Sequence, residues 1–257
     1  MAYTTIDKSS LHFNTKLWNG NSVNNTAITG VGFAPDFVWG KQRTSTEFHQ
    51  VLDKIRGANN ILVSNGGNAA VGDSNILNSF DSDGFTLGNQ DQLNDTGDTY
   101  VGWSWKANGQ GSSNTDGSIN TTYTSANTTS GFSISTYTGT GSNATVGHGL
   151  GVAPSVMIVK NLTNANSWSV YHKGLNGGVT PQNYFLHLNE IDPEAANAPT
   201  WNNTAPTSSV FSIGTNNNTG GSYNYVAYCF AEKQGFSKFG SYVGNGQGNA
   251  NGTFVYT

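Results

Sequence analysis

Polar and apolar residues follow short, strand-like patterns along most of this chain. Residues 132–138 alternate between apolar and polar side chains, which is typical of a strand with one buried face. Residues 155–160 form a short apolar run, as expected for a strand that is covered on both faces. Similar β-rich segments occupy 183–188, 209–213 and 223–230. Because no long window keeps apolar residues at helical spacing without Gly or Asn breaks, the pattern predicts an all-β chain.

Turn residues separate these segments at frequent intervals. Clusters at 19–21, 65–68 and 216–221 combine Asn with Gly, the residues that best tolerate the positive φ angles of tight turns. Short strands joined by such turns are typical of sandwiches and barrels. We therefore predict antiparallel β-sandwich units with a jelly-roll-like arrangement.

The chain contains an internal duplication. Residues 30–41 align without gaps with 149–160, and both read G-x-G-x-A-P-x, then four mostly apolar residues, then Lys. The remaining matches keep the same order along the chain: 13–20 with 132–139, 48–52 with 168–171, 85–88 with 211–214, and 100–105 with 225–230. Since duplicated sequence blocks in one order indicate a repeated structural unit, we predict tandem sandwiches of related fold.

The blocks divide the chain into two units and a connection. We place the first repeat at 1–108 and the second at 131–257, with a Gly/Ser/Asn-rich linker over 109–130 that we expect to be a flexible connector or a long loop. A third repeat begins at about 236, because 236–246 resembles 132–141 with one insertion. Two interpretations remain open: the last segment closes the second unit, or, as we favour, the sequence ends inside a third repeat.

Charge and composition exclude several classes of protein. Lys and Arg number 11 and Asp and Glu 15, which gives 10% charged residues and a net charge of −4. A nucleic-acid binder needs clustered Lys and Arg, so we predict no nucleic-acid partner. No apolar run approaches the roughly 18 residues of a membrane-spanning helix, and the single Cys229 precludes a disulfide within the chain.

No catalytic constellation emerges from the residue spacings. The five histidines show neither the H-x-x-x-H nor the H-x-H spacing of metal sites. No G-x-S-x-G nucleophile precedes a helix, and no pair of carboxylates is placed to face one glycosidic bond. We therefore predict that the chain is not an enzyme. A sandwich-fold glycosidase or lyase would instead require such a carboxylate pair in a groove.

One acidic segment partly resembles a calcium loop. Asp81-Ser-Asp83-Gly84 begins like an EF-hand, but its twelfth position is Gln92 where that loop needs Glu. The second repeat has no matching carboxylates. We predict solvated turn residues and no cofactor, with calcium near Asp81, Asp83 and Asp91 as the alternative.

Aromatic residues fall into two groups. Trp103 matches Tyr228 and Trp105 matches Phe230 in alternating strands, which favours a place in the core. Trp18 and Trp201 lie in Asn-rich, turn-like surroundings. We therefore predict Trp18 and Trp201 as surface aromatics that contact a ligand.

Nine segments together resemble a repeat family of tailed bacteriophages, found especially in marine and cyanobacterial phages. They are 1–7, 33–39, 55–57, 80–85, 100–105, 137–142, 146–154, 201–208 and 225–232. Members of that family are usually described as tail-fibre or other virion structural proteins, and the repeat has no assigned activity. The resemblance implies a homo-oligomer, by family expectation a trimer, with other virion proteins as partners and no catalytic residues to transfer.

These observations lead to one expected function and two alternatives. We expect a virion structural protein, a tail fibre or tail-associated adhesin, made in the host cytoplasm and displayed on the particle surface. Loops rich in amides and hydroxyls suit contact with a host surface glycan. The alternatives are a non-catalytic carbohydrate-binding module and a head decoration or fibre protein.

Overall fold

The computed structural model describes residues 4–246, which form antiparallel strands with very little helix. The first repeat contains β1 (Phe13–Asn19), β2 (Thr26–Thr29), β3 (Phe37–Gln42), β4 (Gln50–Asp53), β5 (Asn60–Val63), β6 (Val71–Gly72), β7 (Leu77–Asp81), β8 (Gly84–Leu87) and β9 (Thr99–Trp105). The remainder contains β10 (Tyr123–Asn127), β11 (Phe132–Thr138), β12 (Ala144–Gly147), β13 (Val156–Asn161), β14 (Ser169–His172), β15 (Tyr184–His187), β16 (Ala195–Ala196), β17 (Val210–Ile213) and β18 (Asn224–Phe230). The helices are α1 (Asp91–Asn94), α2 (Ala198–Trp201) and 3₁₀ turns at Ser9–Leu11, Leu175–Gly178 and Pro181–Asn183. None of the helices within 4–246 is long and apolar enough to cross a membrane.

Each repeat is a sandwich of one large and one small sheet. The large sheets run β1-β9-β3-β4-β5-β6 and β10-β11-β18-β13-β14-β15-β16, so that the second differs by the added strand β10. The small sheets are β2-β8-β7 and β12-β17. The predicted all-β fold is confirmed, and the matched strand orders follow the sequence duplication.

The two repeats also share their pairing register. Phe13 pairs with Trp105 in the first repeat, and the aligned Phe132 pairs with Phe230 in the second. Inside the second sandwich, Tyr137 stacks on Tyr225 with ring centroids 5.2 Å apart and planes inclined by 17°. Aligned sequence positions thus occupy the same places in the two sheets. The shared register matters because a shift of one residue would turn each side chain to the opposite face of the sheet.

The two large sheets pack against each other through a shared core. The first repeat contributes the buried residues Phe37, Val51, Ile55 and Leu62, and the second contributes Phe132, Ile134, Trp168, Val226 and Tyr228. The Phe37 ring makes edge-to-face contacts with the rings of Tyr228 and Phe132, and the ring centroids are 4.8 and 5.8 Å apart, respectively. Trp105 and Phe230 pack at the margin of this core. Both large sheets are therefore covered on two faces, which explains the continuous apolar run in β13.

The segment predicted as a flexible connector or a long loop packs on the second repeat, and it contains the strand β10. Its strand β10 pairs along β11, and the Ile119 amide donates to the Thr145 carbonyl of β12 at 3.0 Å. Thr121 and Ser125 are buried, with 2% and 0% of their surfaces exposed. The sequence did not predict β10, because the glycines before it draw attention away from its hydroxyl-rich alternation. Gly111 packs closely on this strand, since a Cβ there would lie 2.2 Å from the Thr124 carbonyl oxygen. We call residues 109–127 the strap.

The proposed third repeat is only partly within the described residues. Between 236 and 246 the structure has an isolated bridge from Lys233 to Ser237 and no strand of the β11 type. Phe236 and Phe239 line an apolar pocket with Phe13 and Phe132. Residues 247–257 of that predicted repeat, and 1–3 at the start of the first, lie outside the described residues.

A buried charge cluster joins the repeats inside the shared core. Arg56 Nε donates to Asp53 Oδ2 at 2.5 Å, and Tyr228 Oη donates to the same oxygen at 2.6 Å. The remaining guanidinium nitrogens donate to the carbonyls of Asn60 and Val51. Burial raises the pKa of Tyr228 well above its usual value, so the phenol remains a donor. All charges of the cluster therefore have partners, as buried charges require.

A buried lysine forms a second link between the repeats. Lys160 has 0% of its surface exposed, and Nζ donates to the carbonyls of Asn161 and Asn166 at 2.8 Å. It also donates to the carbonyl of Gly67, in the first repeat, at 3.2 Å. Burial lowers the pKa of Lys160 from 10.5 to about 8. Burial of the charged ammonium group therefore costs stability at neutral pH, and burial of the uncharged amine would not carry this cost.

Replacing Arg56 tests the charge cluster. We expect Arg56→Met to lower the free energy of unfolding by about 3–5 kcal/mol, because Asp53 would stay buried without its counter-ion. Tyr228→Phe is the matched control, and loss of its single hydrogen bond should cost about 1.5–3 kcal/mol. Urea denaturation measures both. An Arg56→Met protein within about 0.5 kcal/mol of wild type would contradict this account.

The pH dependence of stability tests Lys160. Between its folded pKa of about 8 and its unfolded value of 10.5, the unfolded chain binds more protons, so stability rises with pH. Relative to Lys160→Met, wild type should gain up to about 3 kcal/mol over this range. Urea titrations at several pH values measure the difference, and Lys238→Met at an exposed position is the control. Parallel curves for wild type and Lys160→Met would contradict the prediction.

Candidate functional site

A cleft opens between the two repeats, next to the shared core. Its volume is about 420 Å³. One wall comes from the first repeat and consists of Ile55, Arg56, Asn60 and Ala70. The other wall comes from the strap and the second repeat and consists of Thr122, Tyr123, Thr136, Tyr137, Leu162, Thr163, Asn224 and Tyr225. Neither repeat alone contains both walls. We call this feature the inter-repeat cleft.

Strand pairing places the polar side chains of the cleft. Tyr123 of β10 lies directly opposite Thr136 of β11, and 39% of its surface is exposed. Asn224 begins β18, where its amide oxygen accepts a hydrogen bond from Thr138 at 2.8 Å. The Thr163 hydroxyl accepts from the backbone amide of Asn224 at 3.2 Å. One wall of the cleft is thereby ordered by its own hydrogen bonds.

The chemistry of the inter-repeat cleft is that of a neutral, polar binding site. Arg56 is its one ionised lining residue, and its guanidinium donates to Asp53 and two backbone carbonyls. No Asp, Glu or His lies among the lining residues, which include three tyrosines. Hydroxyls, amides and the exposed ring of Tyr123 suit the binding of an uncharged ligand with many hydroxyl groups.

Trp18 is buried, and its predicted role as a surface aromatic is wrong. Only 8% of its surface is exposed, and its ring stacks on Tyr100 at 5.6 Å with an angle of 13°. The edge of Phe85 packs against it, also at 5.6 Å. Its indole nitrogen donates to the Leu93 carbonyl at 2.9 Å. Trp18 thus fills the place that Tyr137 fills in the second repeat, and the Asn-rich neighbours form the turn after the strand.

Trp201 is likewise buried, and its assignment to the surface is also wrong. It ends α2 with 1% of its surface exposed, and its ring meets the edge of Tyr171 at 6.2 Å. The indole nitrogen donates to the Tyr184 carbonyl at 3.1 Å. Polar residues after the helix form a turn, while the large ring is driven into the second core by its apolar area.

Asp81 and Asp83, two of the acidic residues considered for calcium, have hydrogen-bond partners within the chain. Asp81 accepts from the hydroxyls of Ser79 and Thr86 at 2.6 and 2.7 Å. Asp91 lies in the first turn of α1, where a carboxylate favours the helix end. Within residues 4–246 there is no group of three or more His, Cys, Asp or Glu side chains arranged to hold a metal. The structure therefore does not bring Asp81, Asp83 and Asp91 into one ligand set.

Asp83 holds the G-x-G loop of the first repeat. Its carboxylate accepts from the amides of Gly30 and Gly32 at 3.0 and 2.6 Å, and these bonds lower its pKa. The second repeat uses His148, whose Nδ1 accepts from the Leu150 amide at 3.2 Å. Burial lowers the pKa of His148, which favours the neutral ring that this contact requires. Both side chains therefore have roles in the fold.

Tyr123 is an exposed aromatic residue of the inter-repeat cleft that the sequence analysis missed. It lies in the strap, which was assigned as a linker because of its glycines. The stretch 119–127 is free of glycine. Its apolar residues Ile119, Tyr123 and Ala126 are separated by residues with hydroxyl or amide side chains. This local change in composition was the available signal for a strand.

Comparison with known proteins gives one match. The family described as a domain of unknown function (DUF7483) matches residues 8–257, which is nearly the whole chain. No curated protein and no solved structure matches the chain.

Proposed function

We propose that this chain, which belongs to the DUF7483 family, is a non-catalytic structural protein of a bacteriophage virion. In this proposal it is a tail fibre or tail-associated adhesin that binds an uncharged host-surface glycan in the inter-repeat cleft. The observation that carries the binding role is the lining of that cleft by hydroxyls, amides and Tyr123. The virion role is supported by the resemblance of the repeat sequence to phage structural proteins.

The architecture supports a mechanical role. Three cores are stacked through the molecule, one inside each sandwich and one between the large sheets. Such layering restricts movement of one repeat against the other, because packed interiors yield little to deformation. A body of this kind suits a particle that has to keep its binding sites in fixed positions.

The inter-repeat cleft supports the glycan part of the proposal. Its volume of about 420 Å³ falls within the usual size of small-ligand sites, about 300–1,000 Å³. Apolar faces of sugar rings pack on aromatic rings, and Tyr123 offers such a ring with its surface 39% exposed. Single clefts of this chemistry bind weakly, so display of several copies on a trimer would raise the overall affinity.

Replacing Tyr123 tests the cleft. We expect Tyr123→Ala to weaken glycan binding about tenfold, because a ring contact of this kind contributes up to about 1.5 kcal/mol. The measurement is a glycan array followed by titration of the best neutral glycan. Tyr242→Ala is the matched control, since Tyr242 is 69% exposed and is not among the residues that line the cleft.

The outcomes separate the functions. Equal binding by wild type and Tyr123→Ala would remove the inter-repeat cleft from the proposal. Immunogold labelling of purified particles tests the virion role: label on tails supports an adhesin, and label on capsids favours a head fibre or decoration protein. Glycan binding without any label on particles would favour a free carbohydrate-binding module.

A further inference from the structure

The two repeats differ at one edge of their large sheets. In the second repeat β10 covers the outer edge of β11, and residues 132–135 are buried. The aligned residues of β1 lie at the end of their sheet, where no strand within 4–246 pairs with that edge. Thr15 and Leu17 are exposed there, Leu17 to 59%. The first repeat thus has the same edge without its cover.

Backbone directions show which groups face outward along β1. At the two ends of β1, the backbone amide of Lys106 donates to the His12 carbonyl, and the backbone amide of Gly20 donates to the Asp98 carbonyl, both at 2.9 Å. Even-numbered residues therefore bond to β9, since hydrogen-bonded pairs alternate along an antiparallel ladder. The amides and carbonyls of odd-numbered residues, Leu17 included, point to the open edge, where the Thr15 amide donates to the side-chain oxygen of Asn14 at 2.9 Å.

The second repeat shows the same geometry with the edge occupied. Thr136 is the residue aligned with Leu17, and its carbonyl accepts from the Thr122 amide at 2.8 Å. The opposite side of β10 is also bonded, because Thr124 and Ser112 exchange both backbone hydrogen bonds. Tyr123, Ser125 and Asn127 therefore direct their backbone groups to β11.

The open edge is long and regular, and Lys16 is its one feature of the kind by which proteins block strand addition. β1 reads FNTKLWN, seven residues without Pro or Gly and with a single charge. That charge, Lys16, has its ammonium group beside Gly30 on the small-sheet side. An exposed, regular edge of this length with an apolar side chain is a template for another strand.

The occupied repeat also indicates the chemistry of the missing strand. β10 has the sequence YTSAN, which carries no charge and presents small hydroxyl side chains. Thr124 bonds the Ser135 hydroxyl at 2.9 Å, and the residue aligned with Ser135 is Lys16, whose ammonium can donate to a hydroxyl. An uncharged, hydroxyl-rich segment therefore fits this edge.

We infer that the outer edge of β1 accepts an extended, uncharged, hydroxyl-rich strand from another polypeptide. The added strand pairs antiparallel with Phe13–Leu17, as β10 pairs with β11, and extends the large sheet by one strand. Main-chain hydrogen bonds supply the affinity, and Leu17 supplies an apolar contact. Such an edge joins one polypeptide to the next in an assembly and is independent of glycan binding in the cleft.

A peptide with the sequence of residues 120–128 is the probe for this inference. We expect its addition to slow hydrogen exchange of the Leu17 amide at least about tenfold, because this amide becomes bonded to the added strand. Two-dimensional NMR of the intact chain measures this exchange and gives a saturable titration. The same peptide carrying Ser125→Pro lacks a donor that faces the edge, and it should not bind.

Variants of the chain separate backbone pairing from apolar contact. Leu17→Pro removes an outward donor and leaves the bonds of β1 to β9 in place, so it should abolish peptide binding without unfolding the chain. Leu17→Thr keeps the amide and copies Thr136, so it should still bind. If Leu17→Pro does not fold, the Ser125→Pro peptide with the wild-type chain remains the test.

Four results would overturn the inference. The first two are no peptide binding at all and binding that survives both proline substitutions. The third is slow exchange of the Leu17 amide in the peptide-free monomer, which would mean that the chain covers its own edge. The fourth is a dimer of the chain without peptide, detected by sedimentation, that Leu17→Pro no longer forms. Such a dimer would mean that a second copy of this chain occupies the edge.

Discussion

A buried carboxylate sets how the two repeats face each other. Asp53 belongs to the first repeat and has 0% of its surface exposed, yet one of its three hydrogen-bond donors is Tyr228, which is 175 residues away in the second repeat. Moving the sheets apart would remove that donor and let water reach the pair of Asp53 and Arg56. Apolar packing drives the sheets together without direction, whereas this cluster is satisfied at one relative position.

That constraint links the fold to the candidate site. Arg56 is held by Asp53 within the shared core and also lines the inter-repeat cleft. The cluster that positions the second repeat therefore also positions the cleft wall that the first repeat contributes. The strap supplies Tyr123 to the opposite wall and covers the edge of β11. The shared core and the inter-repeat cleft are therefore consequences of one arrangement of the two large sheets.

The sequence predicted the parts of the fold that local patterns encode. Alternation located β11, β15, β17 and β18, and the alignment of Trp18 with Tyr137 anticipated two sandwiches in one register. Asn-rich surroundings wrongly placed Trp18 and Trp201 on the surface, because neighbouring turn residues say nothing about which way a ring points. The cluster of Asp53, Arg56 and Tyr228 has no local signature, and the inter-repeat cleft depends on it. The virion role stays a prediction, since it rests on the resemblance.

Scanning calorimetry of the intact chain tests the central claim that the repeats form one body through their shared core. If they do, heating should give a single transition whose calorimetric and van't Hoff enthalpies agree, with a ratio of about one. Repeats that fold as separate units would give two transitions, or one broad transition with a ratio of about two. The second result would contradict a structure in which Asp53, Arg56 and Tyr228 hold the two large sheets together.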